Sequence, residues 1–427
     1  MLKKNIKYSL ISLLLLTSIN NIAYADEIKK AESQKIDIPE SKKTDTKDDE
    51  NKENDIKNKV KMGGRNISAF SRKGYTSGVA LGGYFDTEFI APLGGNSYFN
   101  QHHLILQASS LFNDRIFFNT EVEFESGGIS DENRNGEVRI EQAFLDYKFS
   151  DWLNLRVGSL LIPVGRLNVL HDSDIRTTTA RPLFSKTIIP STWTESGLGF
   201  YGTAYPNEEL EFNYELYVTQ GINDKISDGL GLSEAKPSPA SDNNAGKAVS
   251  TRVSLSPFIG LDFGLGGYYA NYDDNNKKAL GMIVGDFNYK LGAFELLGEG
   301  GFTAFNPVDQ KDDKGKVTSV LNGPMWGYYL EGHYNFFPEF LKFSALGRDF
   351  TNPSITLFSR IDQVDTDSSK INNDRVQLCL GFNYRPITSV VFKFEYQINL
   401  QNDIIIKRDP TREKANNQFL ASVAAGF

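Results

Sequence analysis

The chain of 427 residues contains one cysteine, Cys379, and only four histidines. One cysteine excludes a disulfide framework and a cysteine-based metal cage, and four histidines leave little material for a histidine-rich metal site. Long apolar runs are scarce as well, because only the stretch Tyr8 to Ile19 approaches the about 20 residues of a spanning helix. Together with a mean hydropathy of −0.37, these absences argue against a helical membrane protein.

The N-terminus has the organisation of a secretory signal. Lys3, Lys4 and Lys7 precede the apolar run, and Ala23-Tyr24-Ala25 follows it. A basic region, a short apolar region and an A-x-A site are typical of a signal peptide, so residues 1–25 are predicted to be removed near Ala25. A membrane anchor is the alternative, but about 12 apolar residues are short for a span.

A strongly charged segment follows, which we assign to residues 26–74. Its first part, Asp26 to Lys61, holds 10 lysines and 11 acidic residues and no aromatic residue. Such a composition buries too little apolar surface to offset chain entropy, so a disordered periplasmic tether is predicted. A coiled coil is the alternative, but no sustained heptad pattern is present.

Residues 75–427 alternate between apolar and polar residues with period two, which indicates β-strands. In one example Val376, Leu378, Leu380 and Phe382 share one face and oppose polar residues on the other. The pattern predicts sixteen strands near 78–90, 101–112, 115–125, 137–149, 152–162, 195–205, 209–219, 247–256, 261–272, 278–290, 293–303, 324–336, 354–365, 374–385, 389–398 and 417–427.

The connections between these strands are alternately short and long, as in a transmembrane antiparallel β-barrel of the bacterial outer membrane. The connection Phe337 to Pro353 departs from this rule, because it is long at the short-turn end. A β-sandwich is the competing fold, but strands of about ten residues and aromatics near strand ends favour a barrel. The last strand alternates and ends on Phe427, which resembles the terminal strand that such proteins present to the outer-membrane assembly machinery.

The stretch Glu137 to Tyr201 includes Ile140-Glu141-Gln142-Ala143-Phe144-Leu145-Asp146-Tyr147 and Ile162-Pro163-Val164-Gly165-Arg166. These segments resemble the bacterial porins related to the phosphate-selective porins O and P. The resemblance implies a sixteen-stranded barrel, usually a homotrimer, in the outer membrane of a diderm bacterium, with one loop folded inward as a constriction. The loop Arg166 to Thr194 has the matching position. The constriction residues expected from it are Arg166, His171, Asp172, Asp174, Arg176, Arg181 and Lys186.

The charge of the barrel region differs from that of a phosphate-selective pore, which clusters basic residues. The signal carries +3 and the stretch 26–61 carries −1 against a total of −8, which leaves −10 for the remainder. Acidic rings favour cations. With apolar faces turned outward, the predicted pore lining is Glu121, Glu123, Arg156, Glu211, Glu215, Arg252, Glu295, Glu299, Glu331, Arg360, Arg375, Lys393 and Glu395.

We therefore expect a porin for passive diffusion of small ions and hydrophilic solutes, with a weak cation preference and with membrane lipid as its surroundings. An alternative role for the loop arginines is to pair with wall carboxylates and fix the loop. An adhesin or ligand-binding barrel acting through its long loops is the alternative function. No sequence context places a serine beside any histidine, so no enzymatic activity is expected. No cofactor, metal or nucleic acid is expected either.

Overall fold

The structure is a computed structural model that describes residues 78–131, 134–238, 241–311, 316–370, 374–401 and 417–427. The predicted signal peptide 1–25 and the charged segment 26–74 lie outside the described residues. Within the described ranges, no helix has both the length and the apolar composition needed to cross a membrane.

The described residues form eighteen strands. Their bounds are β1 Val79–Pro92, β2 Tyr98–Asn113, β3 Ile116–Asp131, β4 Arg134–Lys148, β5 Asn154–Leu161, β6 Thr194–Ala204, β7 Glu211–Thr219, β8 Ala248–Phe258, β9 Leu261–Asn271, β10 Ala279–Leu291, β11 Phe294–Phe305, β12 Val308–Lys311, β13 Val317–Leu321, β14 Met325–Phe336, β15 Ser354–Asp365, β16 Asp374–Ile387, β17 Val390–Gln401 and β18 Gln418–Gly426. Sixteen of them pair antiparallel in a closed barrel, and β12 and β13 form a separate hairpin. The predicted sixteen-stranded barrel is confirmed.

The period-two pattern divides each strand between the two faces of the barrel wall. In β15, Leu357 and Ile361 are 47% and 40% exposed on the outer face, whereas Arg360 and Asp362 between and beside them are buried. The barrel thus has an apolar outer surface and a polar interior, as outer-membrane barrels do. This division explains how an aromatic-rich chain has a negative mean hydropathy.

Two predicted loops contain more strand structure than expected. Part of the predicted loop 126–136 is strand, since β3 extends to Asp131 and β4 begins at Arg134. The hairpin of β12 and β13 lies within the predicted loop 304–323. The long connection 337–353 at the short-turn end is confirmed, and it contains the 3₁₀ turn Glu339–Leu341.

The barrel closes between its first and last strands. Nine residue pairs join β1 to β18, from Tyr84 opposite Gly426 to Pro92 opposite Gln418. Beyond them, Gly83 and Phe427 exchange two backbone hydrogen bonds of 3.1 and 3.0 Å. The C-terminal residue therefore completes the ladder.

Candidate functional site

The connection between β5 and β6, residues 162–193, crosses the interior of the barrel and is here called the inward loop. It contains two short helices, α1 (Arg166–Val169) and α2 (Leu183–Thr187). It reaches β15, which is eight strands from β5 in either direction around the wall. There the Arg360 guanidinium donates to the Ala180 carbonyl at 3.1 Å and to the Thr178 hydroxyl at 2.7 Å. The loop predicted from the resemblance is thus folded inward.

Charged side chains of β11 and β15–β17 hold the backbone of this loop. Lys393 donates to the Ser173 carbonyl at 2.5 Å, and the Glu395 carboxylate accepts the Thr179 N–H at 2.7 Å. At the other end, the Glu299 carboxylate accepts the Leu167 N–H. Loop carbonyl and N–H groups that no regular structure satisfies thereby gain charge-assisted partners. We call Arg360, Lys393 and Glu395 the anchor residues.

The inward loop also has an apolar contact with the wall through α2. Gly301 and Gly327 pair across β11 and β14, and a Cβ on either would lie 3.1 Å from the ring of Phe184. The absence of two side chains leaves a recess that the fully buried Phe184 fills. Ile188 and Trp193 continue this cluster, which is joined by buried residues of the 220–247 connection.

Two polar side chains join the ends of the loop to each other and to the wall. Asn168 donates to the carbonyls of Ile162 and Trp193 at 2.7 and 3.1 Å and accepts the Trp193 N–H at 2.8 Å. Glu195 accepts from the Trp193 indole at 2.9 Å and from the Tyr268 hydroxyl at 2.7 Å. Because these groups are buried, the bonds fix the point where the loop leaves the wall.

His171 ties the loop to β4. Its Nε2 contacts the Glu141 carboxylate, and its Nδ1 bonds the Asn168 carbonyl at 2.9 Å. Burial opposes protonation of the ring, but the Glu141 charge outweighs it and raises the pKa of His171 to about 8. The pair is therefore ionic at neutral pH.

The other predicted constriction residues have different surroundings. Arg176 is buried and donates to loop carbonyls, those of His171, Thr178 and Thr179, rather than to a wall carboxylate. Arg181 is half-buried and reaches the Thr192 hydroxyl at 3.3 Å, whereas Lys186 is exposed. The remaining members are the half-buried Arg166 and Asp174 and the buried Asp172.

A cavity of about 250 Å³ lies between α1 and the wall formed by β2–β8. Eight of the predicted residues line it: Glu121, Arg156, Arg166, His171, Asp172, Glu211, Glu215 and Arg252. Arg156 pairs bidentately with Asp146 at 2.7 and 2.8 Å, and Arg252 pairs with Asp286 at 2.6 and 2.8 Å. Asp146 and Asp286 were missed by the sequence analysis, although the alternation of their strands places them on the inner face.

The rest of the predicted lining is distributed around the wall. Glu295 and Glu331 flank His333, with Glu331 at 2.6 Å from its Nε2. Glu123 pairs with Arg139 at 2.5 Å, and Arg375 is half-buried at the far side of the barrel. The structure brings Glu299, Arg360, Lys393 and Glu395 into contact with the inward loop, as described above. Whether these side chains also face the solute path stays a prediction.

Comparison with known proteins agrees with this architecture. Residues 91–292 match the family model described as phosphate-selective porin O and P. An uncharacterized protein of Aquifex aeolicus (strain VF5) is 27% identical over 377 residues, which cover 82% of this chain and 80% of the relative.

Several solved structures share the fold at low identity. They include the trimer form of OmpT, an outer membrane protein of Vibrio cholerae, at a TM-score of 0.53 and 12% identity, covering 82% of this chain and 99% of that one. The anion-selective porin of Comamonas acidovorans gives a TM-score of 0.52 at 13% identity, covering 82% and 100%. The barrel, the inward loop and the family match together are those of an outer-membrane channel for small solutes, and residues 91–292 are similar to the phosphate-selective porins O and P.

Proposed function

We propose that this porin allows passive diffusion of small ions and hydrophilic solutes with a weak cation preference, and that the inward loop narrows its lumen. The observation that supports this most directly is the unequal pairing of charges around the cavity beside α1. The two wall arginines that line this cavity are neutralised by aspartates, whereas two glutamates of the same lining are held by neutral donors.

The neutral donors are specific. Glu211 accepts the Asn213 amide at 3.0 Å, and Glu215 accepts the Tyr217 hydroxyl at 2.6 Å. A neutral donor orients a carboxylate without supplying an opposite charge. Glu211 and Glu215 are also half-buried, so their charge acts on ions passing through the cavity.

This arrangement supports a cation preference over the selectivity that the family name suggests. The Comamonas porin is described as anion-selective, but its likeness to this chain concerns the fold alone. The basic residues Arg360 and Lys393 bind loop atoms here, so they contribute less to anion binding than solvent-facing cations would. The net charge of −10 over residues 62–427 favours cations in the same direction.

The reversal potential under a salt gradient across a planar bilayer tests the proposal. Wild-type protein should be weakly cation-selective, and the double variant Glu211→Gln/Glu215→Gln should move the reversal potential towards anions. The control is Glu208→Gln/Glu209→Gln, which removes the same charge from the exposed turn before β7. An anion-selective wild type, or equal shifts in both double variants, would contradict the cation preference.

The same recordings separate the channel from the alternative adhesin. Folded protein without stepwise conductance would favour an adhesin or ligand-binding barrel. The buried residues Ile222, Ile226 and Leu232 of the 220–247 connection pack into the cluster around Phe184. This packing favours a structural role for this part of the connection over ligand binding.

The proposed partners follow from the barrel. Its outer apolar face contacts outer-membrane lipid, three copies form a homotrimer, and the strand ending in Phe427 is recognised by the assembly machinery. Crosslinking of the purified protein tests the trimer, and the Phe427→Ala variant, which should lower assembly in cells, tests the recognition.

A further inference from the structure

Two adjacent histidines of β2 face the same side of the wall, which a regular strand does not permit. The β1–β2 ladder pairs Asp86 with His103 but Glu88 with Asn100, so one extra residue bulges from β2 at this point. A β-bulge places two residues opposite one and redirects a side chain. The rings of His102 and His103 consequently lie 3.6 Å apart between their centroids.

Two carboxylates of β1 meet these rings. Asp86 and Glu88 alternate by two and share the inner face. His102 Nδ1 lies 3.2 Å from Asp86 Oδ2 and 3.1 Å from Glu88 Oε1, and His103 Nδ1 lies 3.0 Å from Asp86 Oδ1. Four ligands at about 2.0–2.1 Å from a tetrahedral zinc ion are about 3.3 Å from each other. Each of the three contacts is close to one such edge, and the ligand atoms of Asp86, His102 and His103 all lie within 4.8 Å of one another.

The charge of the cluster also points to a cation. Asp86 and Glu88 are 1% and 6% exposed, and buried carboxylates need compensation. In the part of the chain that the structure describes, their ion-pair partners within 4.0 Å are the two histidines. Neutral imidazoles, which are the metal-binding form, leave two negative charges that a divalent ion balances.

A second layer of contacts orients one of the rings. The Nε2 of His103 lies 3.2 Å from Glu123, whose other oxygen accepts from Arg139 at 2.5 Å. A carboxylate on the far nitrogen of a metal-binding histidine is a recurrent arrangement, since it fixes the tautomer and strengthens the donor. Because Arg139 holds Glu123 in place, Glu123 can orient the His103 ring without being a ligand of the metal itself.

From this geometry we infer a binding site for a divalent transition-metal ion of the zinc class, with His102, His103 and Asp86 as ligands, Glu88 beside His102 and Glu123 as the support of His103. Nitrogen and carboxylate donors at this spacing suit Zn²⁺ or Co²⁺ better than Ca²⁺, which prefers oxygen ligands only. His102 is 23% exposed, which leaves a route for the ion. The inference replaces the expectation of no metal site.

Titration calorimetry with ZnCl₂ on the full-length mature porin in detergent, stripped with a chelator and dialysed, tests the site. We expect one Zn²⁺ per chain, and Co²⁺ in its place should give the intense visible absorption of a tetrahedral complex. His102→Gln and Asp86→Asn should each weaken binding more than Glu123→Gln, for which a loss of about 10–100-fold is expected. Two independent ligand variants keep the test valid if one fails to fold.

The matched control is His333→Gln. His333 also lies between two carboxylates, Glu331 and Glu295, but has no second imidazole beside it in the described structure. Its loss should leave the affinity unchanged. Absence of saturable binding, or an equal loss in the His333→Gln variant, would overturn the inference. The measurement requires no conduction, so its outcome is independent of the selectivity proposed above.

Discussion

The inner wall of the barrel uses the same residue types in two ways on its opposite sides. On the cavity side, Arg156 and Arg252 bond to aspartates of β4 and β10 and line a cavity. On β15–β17, the anchor residues Arg360, Lys393 and Glu395 bond to the inward loop. The arginines of the cavity side therefore line open space, whereas the anchor residues hold the loop.

Inward orientation alone therefore does not show that a charged residue lines a pore. A charged side chain beside water and one beside a loop carbonyl have the same position in a period-two pattern. Their effects differ, because the first acts on ions in transit and the second acts on the position of the loop. Variants on the anchor side should change both the stability and the conductance. Variants on the cavity side should change the stability and leave the conductance close to that of the wild type.

The largest effect is expected on the anchor side, from Arg360→Met. This variant leaves the buried Asp362, at 2.9 Å from the guanidinium, without its partner and frees the loop at Ala180. Breaking a buried pair costs about 3–5 kcal/mol. The free energy of unfolding, from denaturant titration in detergent, should fall by that amount, and single-channel conductance should rise.

Arg156→Met is the counterpart on the cavity side. It also deprives an aspartate, Asp146, of its arginine partner. Among the described residues, however, Arg156 makes no hydrogen bond to the inward loop. Stability should fall while the conductance stays close to that of the wild type. A similar rise in conductance in both variants would mean that the two sides do not differ.

A smaller effect is expected from Gly327→Ala, which fills the recess under the inward loop. The new Cβ would lie 2.8 Å from the Gln363 carbonyl and 3.1 Å from Phe184, so the sheet or the loop must shift. Overpacking of this kind costs about 1–3 kcal/mol. The control on the same strand is Gly332→Ala, whose Cβ meets its nearest atom at 3.9 Å and should leave the free energy of unfolding almost unchanged.

The smallest effect concerns pH and the cavity side, where His171 bonds to Glu141. Because the folded pKa of about 8 exceeds the ordinary value of 6.5, the pair stabilises fully below about pH 6.5 and less as the pH rises through 8. The wild type should therefore lose on the order of 1–2 kcal/mol between pH 6 and pH 9 relative to His171→Gln. Asp172, 3.8 Å from the ring, belongs to the same environment. Parallel pH profiles of the two proteins would contradict the ionic pair.

Much of the fold could be predicted because its signal is local. The sixteen barrel strands are visible as alternation, since each strand has one face towards the apolar outside of the barrel and one towards its polar interior. The hairpin Val308–Lys311 and Val317–Leu321 was missed, because its short strands carry no clear alternation and pair only with each other.

The site was less predictable, because its contacts join residues far apart in sequence. Arg360 was assigned to the inner face, but its contact with Ala180 joins residues separated by 180 positions. The adjacent His102 and His103 would point to opposite faces in a regular strand, and only the bulge places both on one. A bulge depends on the register between two strands, which the sequence of one strand does not state.

The scarcity of cysteine and of long apolar runs excludes a disulfide framework and a helical membrane protein. The alternation of apolar and polar residues then predicts a barrel with a polar interior. These features depend only on which surface each residue faces, and the period of the strand fixes that. The tertiary structure decided which interior charges meet solvent, which hold the inward loop and which converge on a potential ligand. Those choices depend on distances across the lumen and between neighbouring strands, which barrel closure and strand register set together.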